Sequence, residues 1–464
     1  MSAGTTNPTG RLIHRGEADY EEARVGRVFN ARRPDRFPAS VLEAVDADDV
    51  VAGVRLARER GWKVSVRSGG HSWAAWSLHE DALLIDLGQL RSLSYDEASG
   101  IVSAGPATKG SLELEPFLTE RGRAFPGGHC ATVGIGGFLL QGGQGWNGRA
   151  KGWACESIVA VDVVTADGEL VRADAETNSD LYWAARGAGP GFPGIVTCFH
   201  LQTYAKPASM WQDTWSFRLD DAERVVHWLH EVLPRLDRRV EPVLAATRLP
   251  DVPLYDGVKH PGGTLLLLHT TCMTDSDEDA QRLLAGLGEC PVLGRELGRV
   301  TGPTSVAEES IAQTGQNPED HRYAVDCAWT DAPADVLAPL LMDIWRGLDT
   351  RHSFSIWYGW APTRQLPDMA FSVEANVYVA TYLVYEDEAD DERYRTEVHD
   401  RTAAIARDGG VGVYLGDTDF TRRPDRFLAA DHLQRLEAIR AERDPQRMFA
   451  SYLVSQPDRL NVHA

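Results

Sequence analysis

Residues 67–72 read RSGGHS and residues 127–134 read GGHCATVG, and these two stretches decide how the chain is interpreted. They place His71 and Cys130 among glycines, which let backbone amides approach an anionic, planar ligand closely. An imidazole and a thiol are also the two side chains best suited to bond covalently to an electron-poor flavin. The two stretches therefore predict a redox enzyme whose flavin is attached at two points.

The composition is that of a globular protein, since 43% of the 464 residues are hydrophobic and 25% are charged. This length suits two or three domains and a large core. The net charge of -21 argues against nucleic acid or an anionic membrane as a partner, because both would repel such a surface. We expect a cytoplasmic protein, because residues 1–6 lack the apolar core of a secretory signal and no run of about 18 apolar residues is present.

The six cysteines are scattered without a CxxC pair, which predicts free thiols. Five of them are expected to be buried as small apolar side chains: Cys155, Cys198, Cys272, Cys290 and Cys327. Cys130 differs because its neighbours are glycines and a histidine. The chain shows no clustered Cys/His ligand spacing and no Gly-x-x-x-x-Gly-Lys-Ser/Thr motif, so the sequence predicts neither a metal site nor ATP chemistry.

The first half of the chain alternates short strands, helices and glycine-rich loops. The spacing predicts a helix over 44–60 that ends at Gly61 and a helix over 111–121 that ends at Gly122. Glycines are too dense over 134–145 for a regular helix or strand throughout, which indicates backbone packed against a ligand. Strands are predicted over 63–67, 83–87, 101–105 and 195–201, with a hairpin of 158–164 and 169–172.

Glycine becomes rarer near Lys206-Pro207, which predicts a domain boundary. Beyond it, strands over 263–268 and 378–385 are predicted to belong to one sheet. The helices predicted in this part cover 221–236, 334–349 and 390–407, and the last two are expected to flank that sheet. The predicted organisation is a first domain over 1–205, a second over 206–419 and a C-terminal segment over 420–464.

Taken in order, the stretches RSGGHS, GGHCATVGIGG with LLQGGQG, DVVTADGELV, NSDLYWAARGAG and RDPQRMF resemble the berberine-bridge-enzyme-like branch of the vanillyl-alcohol-oxidase flavoproteins. The resemblance extends over about 1–205 and 420–464. It implies an α+β fold. The PCMH-type FAD-binding domain, roughly 34–206, would consist of two α/β subdomains, and a substrate domain would place an antiparallel sheet flanked by helices over the isoalloxazine ring.

The resemblance implies that FAD is bound covalently, through His71 at its 8-methyl carbon and Cys130 at C6. Residues 67–72 would surround the pyrophosphate, Ile195 would meet the adenine region and Tyr452 would approach the flavin. Two tethers should raise the flavin potential and ease hydride acceptance. The residues implied to bind the cofactor are Arg67, Ser68, Gly69, Gly70, His71, Ser72, Gly128, His129, Cys130, Thr132, Val133, Gly134, Gly137, Gly142, Gly143, Gly145, Ile195 and Tyr452.

Two residues beside Cys130 bear on its chemistry. In relatives, a small side chain at the position of Val133 goes with the oxidase pattern and leucine with the dehydrogenase pattern. Valine therefore favours an oxidase that releases hydrogen peroxide, with ordinary core packing as the alternative. His129 is either a hydrogen-bonding group beside the flavin ring or a packed side chain.

Substrate oxidation needs a base that removes a proton as hydride leaves. Many relatives carry Tyr-x-Asn-Tyr-x-Asp near the C-terminus, and the second tyrosine acts as this base. Here the corresponding stretch, residues 412–417, reads GVYLGD. Tyr414 is therefore a candidate base, and a tyrosine at a strand edge is the alternative. A His-Arg pair that relatives often show in the substrate domain is absent.

Two predicted strands of the second domain supply further candidates. Alternation over 355–360 places Ile356, Tyr358 and Trp360 on one face, where aromatic rings could stack on a flat or hydrophobic substrate. Glu374, Asn376 and Tyr378 are likewise predicted to share one strand face, where a carboxylate beside a tyrosine could be a tuned base. Solvent-facing polar positions are the alternative. The candidate catalytic residues are thus Tyr414, Tyr358, Glu374 and Tyr378.

Together these features predict a bicovalent FAD-dependent oxidase acting on an alcohol, hemiacetal or amine, or closing a ring, in a bulky small molecule. The resemblance implies natural-product tailoring as the setting. Carbohydrate oxidation is the second enzymatic choice. A dehydrogenase on the same fold and a flavin- or ligand-binding protein without turnover are the rival hypotheses. The predicted partners are a small-molecule substrate and O2, and the oligomeric state is left open.

Overall fold

Three main sheets organise the computed structural model, which describes residues 8–248, 253–254, 258–259 and 262–453. The first sheet has four strands in the order β1-β2-β4-β3, in which β2–β4 and β4–β3 pair in parallel and β1–β2 antiparallel. Its strands and the helices packed with them are β1 (Arg11–His14), α1 (Tyr20–Val25), β2 (Ser40–Glu43), α2 (Ala47–Arg60), β3 (Val64–Arg67) and β4 (Leu83–Asp86).

Helix α2 ends where its sequence predicts, but it begins at Ala47, later than the predicted start at residue 44. The Asp46 side chain accepts a hydrogen bond from the Asp49 amide and so caps the first turn. Gly61 follows the last turn with a φ of 66°, a left-handed conformation that glycine adopts without a Cβ penalty. The acidic start and the closing glycine are the signals that made this helix predictable.

The second sheet is antiparallel, with the order β5-β6-β10-β8-β9. Its β8–β9 hairpin is the one predicted. The helix predicted over 111–121 instead forms as a π-helical turn at Gly110–Leu114 followed by α3. The elements of this region are β5 (Leu93–Asp96), β6 (Ile101–Ala104), α3 (Glu115–Thr119), β7 (Arg123–Ala124), α4 (Ile135–Leu140), α5 (Gly148–Lys151), β8 (Ile158–Val164), β9 (Leu170–Asp174), α6 (Ser179–Ala185), β10 (Ile195–Gln202) and β11 (Tyr204–Ala205).

The third sheet has eight antiparallel strands in the order β17-β12-β16-β13-β19-β20-β18-β21. A two-stranded ribbon, β14–β15, precedes β16. The elements are β12 (Ser209–Arg218), α7 (Ala222–Val232), β13 (Val240–Thr247), β14 (Pro253–Leu254), β15 (Val258–Lys259), β16 (Leu265–Thr274), α8 (Asp277–Leu284), β17 (Gly298–Pro303), α9 (Val306–Thr314), β18 (Arg322–Thr330), α10 (Ala334–Arg346), β19 (Phe354–Gly359), β20 (Val377–Tyr385), α11 (Asp391–Arg407), β21 (Gly410–Gly412) and α12 (Ala430–Arg443).

The two faces of the third sheet have different surroundings. Trp357 packs in the core that α7, α10 and α11 form on one face, as the prediction of flanking helices requires. Its neighbour Tyr358 points the other way, into a core shared with the second sheet. Successive side chains of a strand alternate between faces, so β19 separates the helix-packed face from the face that lines the site described below.

The C-terminal segment returns to the first sheet. Phe449 pairs with Val64 of β3, whose amide donates to the Met448 carbonyl at 2.9 Å while its carbonyl accepts from Ala450 at 2.8 Å. Asp444 fixes this approach because its carboxylate accepts from the Met448 and Phe449 amides. The segment therefore supports the strand that leads into the RSGGHS loop.

All six cysteines are free thiols, although Cys198, predicted to be buried, is partly exposed. Within the residues that the structure describes, no helix is both long and apolar enough to span a membrane.

Candidate active site

The RSGGHS loop leaves directly from the end of β3. The Arg67 side chain is buried and donates from Nε to Asp86 Oδ2 at 2.6 Å, which fixes the start of the loop. Gly70 has a φ of 80°, and a Cβ there would collide with the Arg27 carbonyl oxygen. The loop thus requires glycine at this position, and it presents His71 on the far side of the turn.

His71 is held between a ring and a hydroxyl. Its imidazole stacks on Phe29 with centroids 4.3 Å apart and an interplanar angle of 22°. Its Nε2 lies 2.9 Å from Thr132 Oγ1, and Thr132 belongs to the GGHCATVG loop. The predicted cofactor-binding residue Thr132 therefore contacts the predicted attachment site at His71.

The two glycine-rich loops touch through their backbones. A Cβ on Gly69 would lie only 2.6 Å from the Gly134 amide nitrogen, so both positions must stay small. The Gly110 amide also donates to the Val133 carbonyl at 3.1 Å, and Gly128 pairs with Gly145 in an isolated bridge. These contacts fix the Cys130 loop against its neighbours.

His71 and Cys130 line one cavity of about 550 Å³, a size typical of ligand pockets. Burial, together with the charge of Lys109, lowers the pKa of His71 to about 4. Burial and the charge of Asp417 raise the pKa of Cys130 to about 11. At neutral pH the imidazole is therefore uncharged and keeps a free lone pair, while the thiol is protonated.

The residues around this cavity fit a flavin dinucleotide. Other predicted binding residues line it: Arg67, Ser68, Gly69, Gly70, Ser72, Gly128, His129, Val133, Gly134, Gly137 and Ile195. Five lining side chains also have a buried polar atom without a hydrogen-bond partner among the residues that the structure describes: Ser65 Oγ, Gln144 Nε2, Trp146 Nε1, Thr247 Oγ1 and His269 Nε2, the last of which faces Glu309 as an ion pair. A cavity with a glycine cradle and unpaired polar atoms is suited to a large polar ligand.

Four other residues predicted to bind the cofactor are packed against protein rather than cavity. A Cβ on Gly142 would meet the Phe371 ring, one on Gly143 would meet Ala154 and Phe138, and one on Gly145 would meet the Pro126 carbonyl. The density of glycines there reflects close chain packing around the short helix α4. Tyr452 lies in an aromatic core, and its hydroxyl donates to the Ala188 carbonyl at 2.6 Å.

A carboxylate in the GVYLGD stretch, that of Asp417, lies at the cavity wall. Asp417 Oδ1 accepts from Trp73 Nε1 at 2.9 Å, and Oδ2 accepts from the Tyr378 hydroxyl at 2.6 Å. Tyr382, which also lines the cavity, interacts electrostatically with the same carboxylate. Burial raises the pKa of Asp417, although these hydrogen bonds oppose the shift. Asp417 and Tyr382 therefore form the pair of groups on the cavity wall best suited to remove a proton from a substrate as hydride leaves.

The four predicted catalytic residues have separate positions. Tyr414 and Tyr358 line the cavity, as the alternation of Ile356 and Tyr358 predicts. The Tyr414 hydroxyl accepts from backbone at Gly143 and Gln144, and the Tyr358 hydroxyl donates to Glu241 Oε1 at 3.1 Å. Burial raises the pKa of both phenols. Tyr378 reaches the site only through Asp417.

The prediction that Glu374 and Asn376 share a strand with Tyr378 is wrong, because β20 begins at Val377. Glu374 Oε2 instead accepts from Trp153 Nε1 at 2.7 Å and from Trp360 Nε1 at 3.0 Å. This carboxylate joins two indoles behind the cavity wall, and Trp360 lies beyond the end of β19. Glu374 and Trp360 therefore pack behind the cavity wall and do not line the cavity as predicted.

The far wall of the cavity carries a polar group that the sequence did not indicate. His269 on β16 lies 2.7 Å from Thr214 Oγ1 through Nδ1 and 3.2 Å from Glu309 Oε2 through Nε2. His129 belongs to the Cys130 loop, and its ring lies 4.3 Å from that of Trp146. Burial lowers the pKa of His129 to about 4. His129 is thus neutral at neutral pH. The His269 group arises from strand register, which no local motif encodes.

Comparison with known proteins fits this site. Residues 38–174 match the family described as an FAD binding domain. The FAD-linked oxidoreductase janO of Penicillium janthinellum is 36% identical over 433 residues, covering 92% of this chain and 94% of that protein. This chain belongs to the FAD-linked oxidoreductases. Membership makes it an FAD-dependent oxidoreductase, as predicted.

Solved structures of this oxidoreductase fold superpose on nearly the whole chain. The 6-hydroxy-D-nicotine oxidase of Arthrobacter nicotinovorans has a TM-score of 0.82 at 20% identity, covering 98% of this chain and 99% of that one. BBE-like 1 of Physcomitrella patens has a TM-score of 0.81 at 19% identity, covering 95% and 96%. These likenesses concern the fold, and they confirm the predicted α+β class.

Proposed function

We propose that this FAD-linked oxidoreductase carries its FAD on two covalent bonds, to His71 and Cys130, and acts as an oxidase on a bulky small molecule. The observation that supports it best is that one cavity is lined by His71, Cys130 and a pair of acid–base groups, Asp417 with the buried Tyr382. Both attachment candidates and the candidate base thus border the same space.

The chain's own residues would hold FAD in defined ways. The backbone of residues 68–72 would face the pyrophosphate, and the uncharged His71 ring supplies the lone pair that bond formation needs. The Cys130 thiol must lose its proton first, since its pKa is raised to about 11. The chemistry that bound FAD supplies is acceptance of two electrons from the substrate and their transfer to O2, which gives H2O2.

Asp417 is the proposed base. As a carboxylate it accepts the O–H or N–H proton of the substrate, and the Tyr382 hydroxyl can pass that proton because it contacts the same carboxylate. Trp73 and Tyr378 fix the carboxylate by donating to its two oxygens. Tyr414 and Tyr358 would orient substrate along the cavity wall, because each phenol lines the cavity and already has a protein partner.

The proposed substrate is an alcohol, hemiacetal or amine, or a molecule that closes a ring, in natural-product tailoring. Apolar side chains on the third sheet support a largely hydrophobic substrate: Val243, Ala245, Leu267, Phe354 and Ile356. Carbohydrate oxidation stays the second choice, and small-molecule substrate and O2 remain the proposed partners.

The proposal is tested by mixing purified holoenzyme anaerobically with a panel of alcohols, amines and sugars while the visible flavin absorbance is recorded. We expect at least one class to bleach the flavin and, on admission of air, to consume O2 and release H2O2. Bleaching followed by reoxidation slower than turnover would indicate a dehydrogenase. Bleaching by dithionite but by no member of the panel would favour a ligand-binding protein.

A further inference from the structure

Three side chains that are distant in the sequence meet on the second sheet, away from the cavity. They are Asp162 of β8 and Cys198 and His200 of β10, and their carboxylate, thiol and ring-nitrogen atoms all lie within 4.8 Å of one another. The cluster is open to solvent on one side, since the His200 side chain is 13% exposed and that of Asp162 is 31% exposed.

A β-bulge in β10 produces this arrangement. The register shifts between Val196 and Cys198, so that Cys198 pairs directly with Asp162. Val196 and Phe199 line the cavity, whereas Cys198 and His200 project from the opposite face. Bulges are common where a strand must redirect a side chain, and this one separates the cluster from the cavity.

His200 has conflicting neighbours. Its Nδ1 lies 2.8 Å from Ser103 Oγ, while its Nε2 lies 3.0 Å both from Asp162 Oδ2 and from Arg172 Nη1. A protonated Nε2 would meet the Arg172 N–H as donor against donor. A bare Nε2 would meet the Asp162 oxygen as acceptor against acceptor. Within the protein, no protonation state of Nε2 satisfies both neighbours.

We propose that Asp162, Cys198 and His200 form a binding site for one divalent transition-metal cation of the zinc type. A cation between Nε2 and the Asp162 carboxylate removes the acceptor–acceptor contact. The Arg172 side chain can then turn away, because it is 52% exposed. A thiolate with an imidazole selects Zn²⁺ over Mg²⁺ or Ca²⁺, which prefer oxygen ligands.

The surroundings of the three ligands suit this role. Zn²⁺ forms bonds of about 2.0–2.3 Å to these donors, so modest side-chain rotations bring the three atoms to bonding distance. Ser103 fixes the ring orientation from behind, as the outer partner of a metal-bound histidine usually does. Three protein ligands leave a fourth position for water. No local spacing marks these three residues in the sequence, because strand pairing brings them together.

The test is a titration of tag-free, chelator-treated holoenzyme with Zn²⁺ in competition with a chromogenic chelator. We expect one equivalent to bind per chain, and Co²⁺ in its place to add a thiolate charge-transfer band to the near-ultraviolet difference spectrum. Cys198→Ser and His200→Ala should each abolish that stoichiometric binding. Ser103→Ala should weaken it by about 10–100-fold, the usual effect of losing an outer partner.

Two further variants distinguish coordination of Zn²⁺ at this site from a general effect of nearby surface charge. Arg172→Gln should tighten Zn²⁺ binding, because a neighbouring cation is removed. Asp174→Asn is the matched control, since Asp174 lies on the same face of β9 near Arg172 but is engaged by the Glu176 and Thr177 amides. It should bind as wild type does. Absence of stoichiometric binding, or binding that survives in both Cys198→Ser and His200→Ala with intact flavin spectra, would overturn the proposal.

Discussion

Burial shifts the pKa values of the two residues proposed to hold the flavin in opposite directions. It lowers the pKa of His71 to about 4 and raises that of Cys130 to about 11, because a buried site disfavours whichever form is charged. His71 is therefore ready as a nucleophile at neutral pH, and Cys130 requires deprotonation.

Replacement of Asp417 tests the proposed base. Asp417→Asn should keep the flavin but lower kcat/KM by about 10²–10⁴, the usual contribution of a general base. Because burial raises the pKa of Asp417, the active carboxylate is lost on acidification at a higher pH than for a solvated aspartate. The acid limb of the kcat/KM profile should therefore disappear in the variant.

The matched control for this variant is Asp368→Asn, a 73% exposed carboxylate paired with Arg435. It should leave the pH profile unchanged. Steady-state rates across the pH range, measured with whichever substrate bleaches the flavin, check both variants. An unaltered kcat/KM in Asp417→Asn would remove this residue from the mechanism.

Val133 provides a second test at the residue scale. Val133→Leu enlarges a side chain on the cavity wall beside Cys130, so oxygen should have less access to that region. We expect reoxidation in air to slow by about tenfold, equivalent to ~1.4 kcal/mol in the barrier, with anaerobic reduction by substrate unchanged. Stopped-flow measurement of both half-reactions decides this, and equal slowing of the two would point to altered packing.

Residue roles were partly predictable from the sequence. His71, Cys130, Tyr358 and Tyr414 stand out because a motif or strand alternation marks them, and all four line the cavity. Tyr382 and His269 were missed because their neighbours come from other strands. Such contacts depend on sheet register, which a single sequence does not encode locally.

At the scale of elements, one carboxylate joins helix α5 to the third sheet. Glu241 on β13 is 3% exposed, and it accepts from the Asn147 amide at 2.7 Å and the Arg149 amide at 3.1 Å. The Arg149 side chain in turn donates to the carbonyls of Val240 and Ala361. Helix α5 has only four residues, too few to be stable alone, so its contacts with the third sheet hold it in place.

Glu241→Gln should lower the free energy of unfolding by about 1.5–3 kcal/mol, because the amide cannot accept at both oxygens as the carboxylate does. Glu231→Gln on α7 is the control, since Glu231 is 72% exposed and pairs with Arg235 at 3.4 Å. Its effect should stay within about 0.5 kcal/mol. Denaturant unfolding of both holoenzymes measures the difference, and equal effects would contradict the assigned role.

Elements with complete local signals were the predictable ones. The helix over 44–60 and the hairpin of 158–164 carry their caps and turn residues in the sequence, and both are present. The prediction of a strand through Glu374 was wrong. The Glu374 side chain is polar because it accepts from the indoles of Trp153 and Trp360, and not because it lies on one face of a strand. Alternation alone did not reveal those partners.

At the scale of the whole molecule, a buried ion cluster fastens the C-terminal segment to the third sheet. Asp326 on β18 is fully buried and accepts from Arg423 Nε at 2.6 Å, with His399 Nδ1 at 2.8 Å. Burial alone would raise the pKa of Asp326, but the charge and hydrogen bonds of Arg423 and His399 lower it overall. The carboxylate is therefore ionised in the folded protein.

Asp326→Asn should lower the free energy of unfolding by about 3–5 kcal/mol, because Arg423 is left buried without its counter-charge. Since the folded-state pKa is lowered, this stabilisation is present above the ordinary aspartate value of about 3.9 and is lost as pH falls through the folded pKa. The gap between wild type and variant should narrow in that acidic range. A difference in the free energy of unfolding that does not change with pH would show that packing, and not charge, is responsible.

The fold of the whole chain was predictable because the ordered motifs of residues 1–205 resemble one flavoprotein branch. The third sheet was predictable in type but not in strand order, since its neighbours β13 (Val240–Thr247) and β19 (Phe354–Gly359) are far apart in the sequence. Long-range pairing of this kind has no local sequence signal.

The central claim is that His71 and Cys130 both bond to FAD. Denaturing mass spectrometry of wild type, His71→Ala, Cys130→Ala and the double variant tests it most directly. We expect an added mass of one FAD on wild type that persists in each single variant and is lost only in the double variant. Release of the flavin from His71→Ala alone would reduce the attachment to a single bond, and a wild type without added mass would contradict the claim outright.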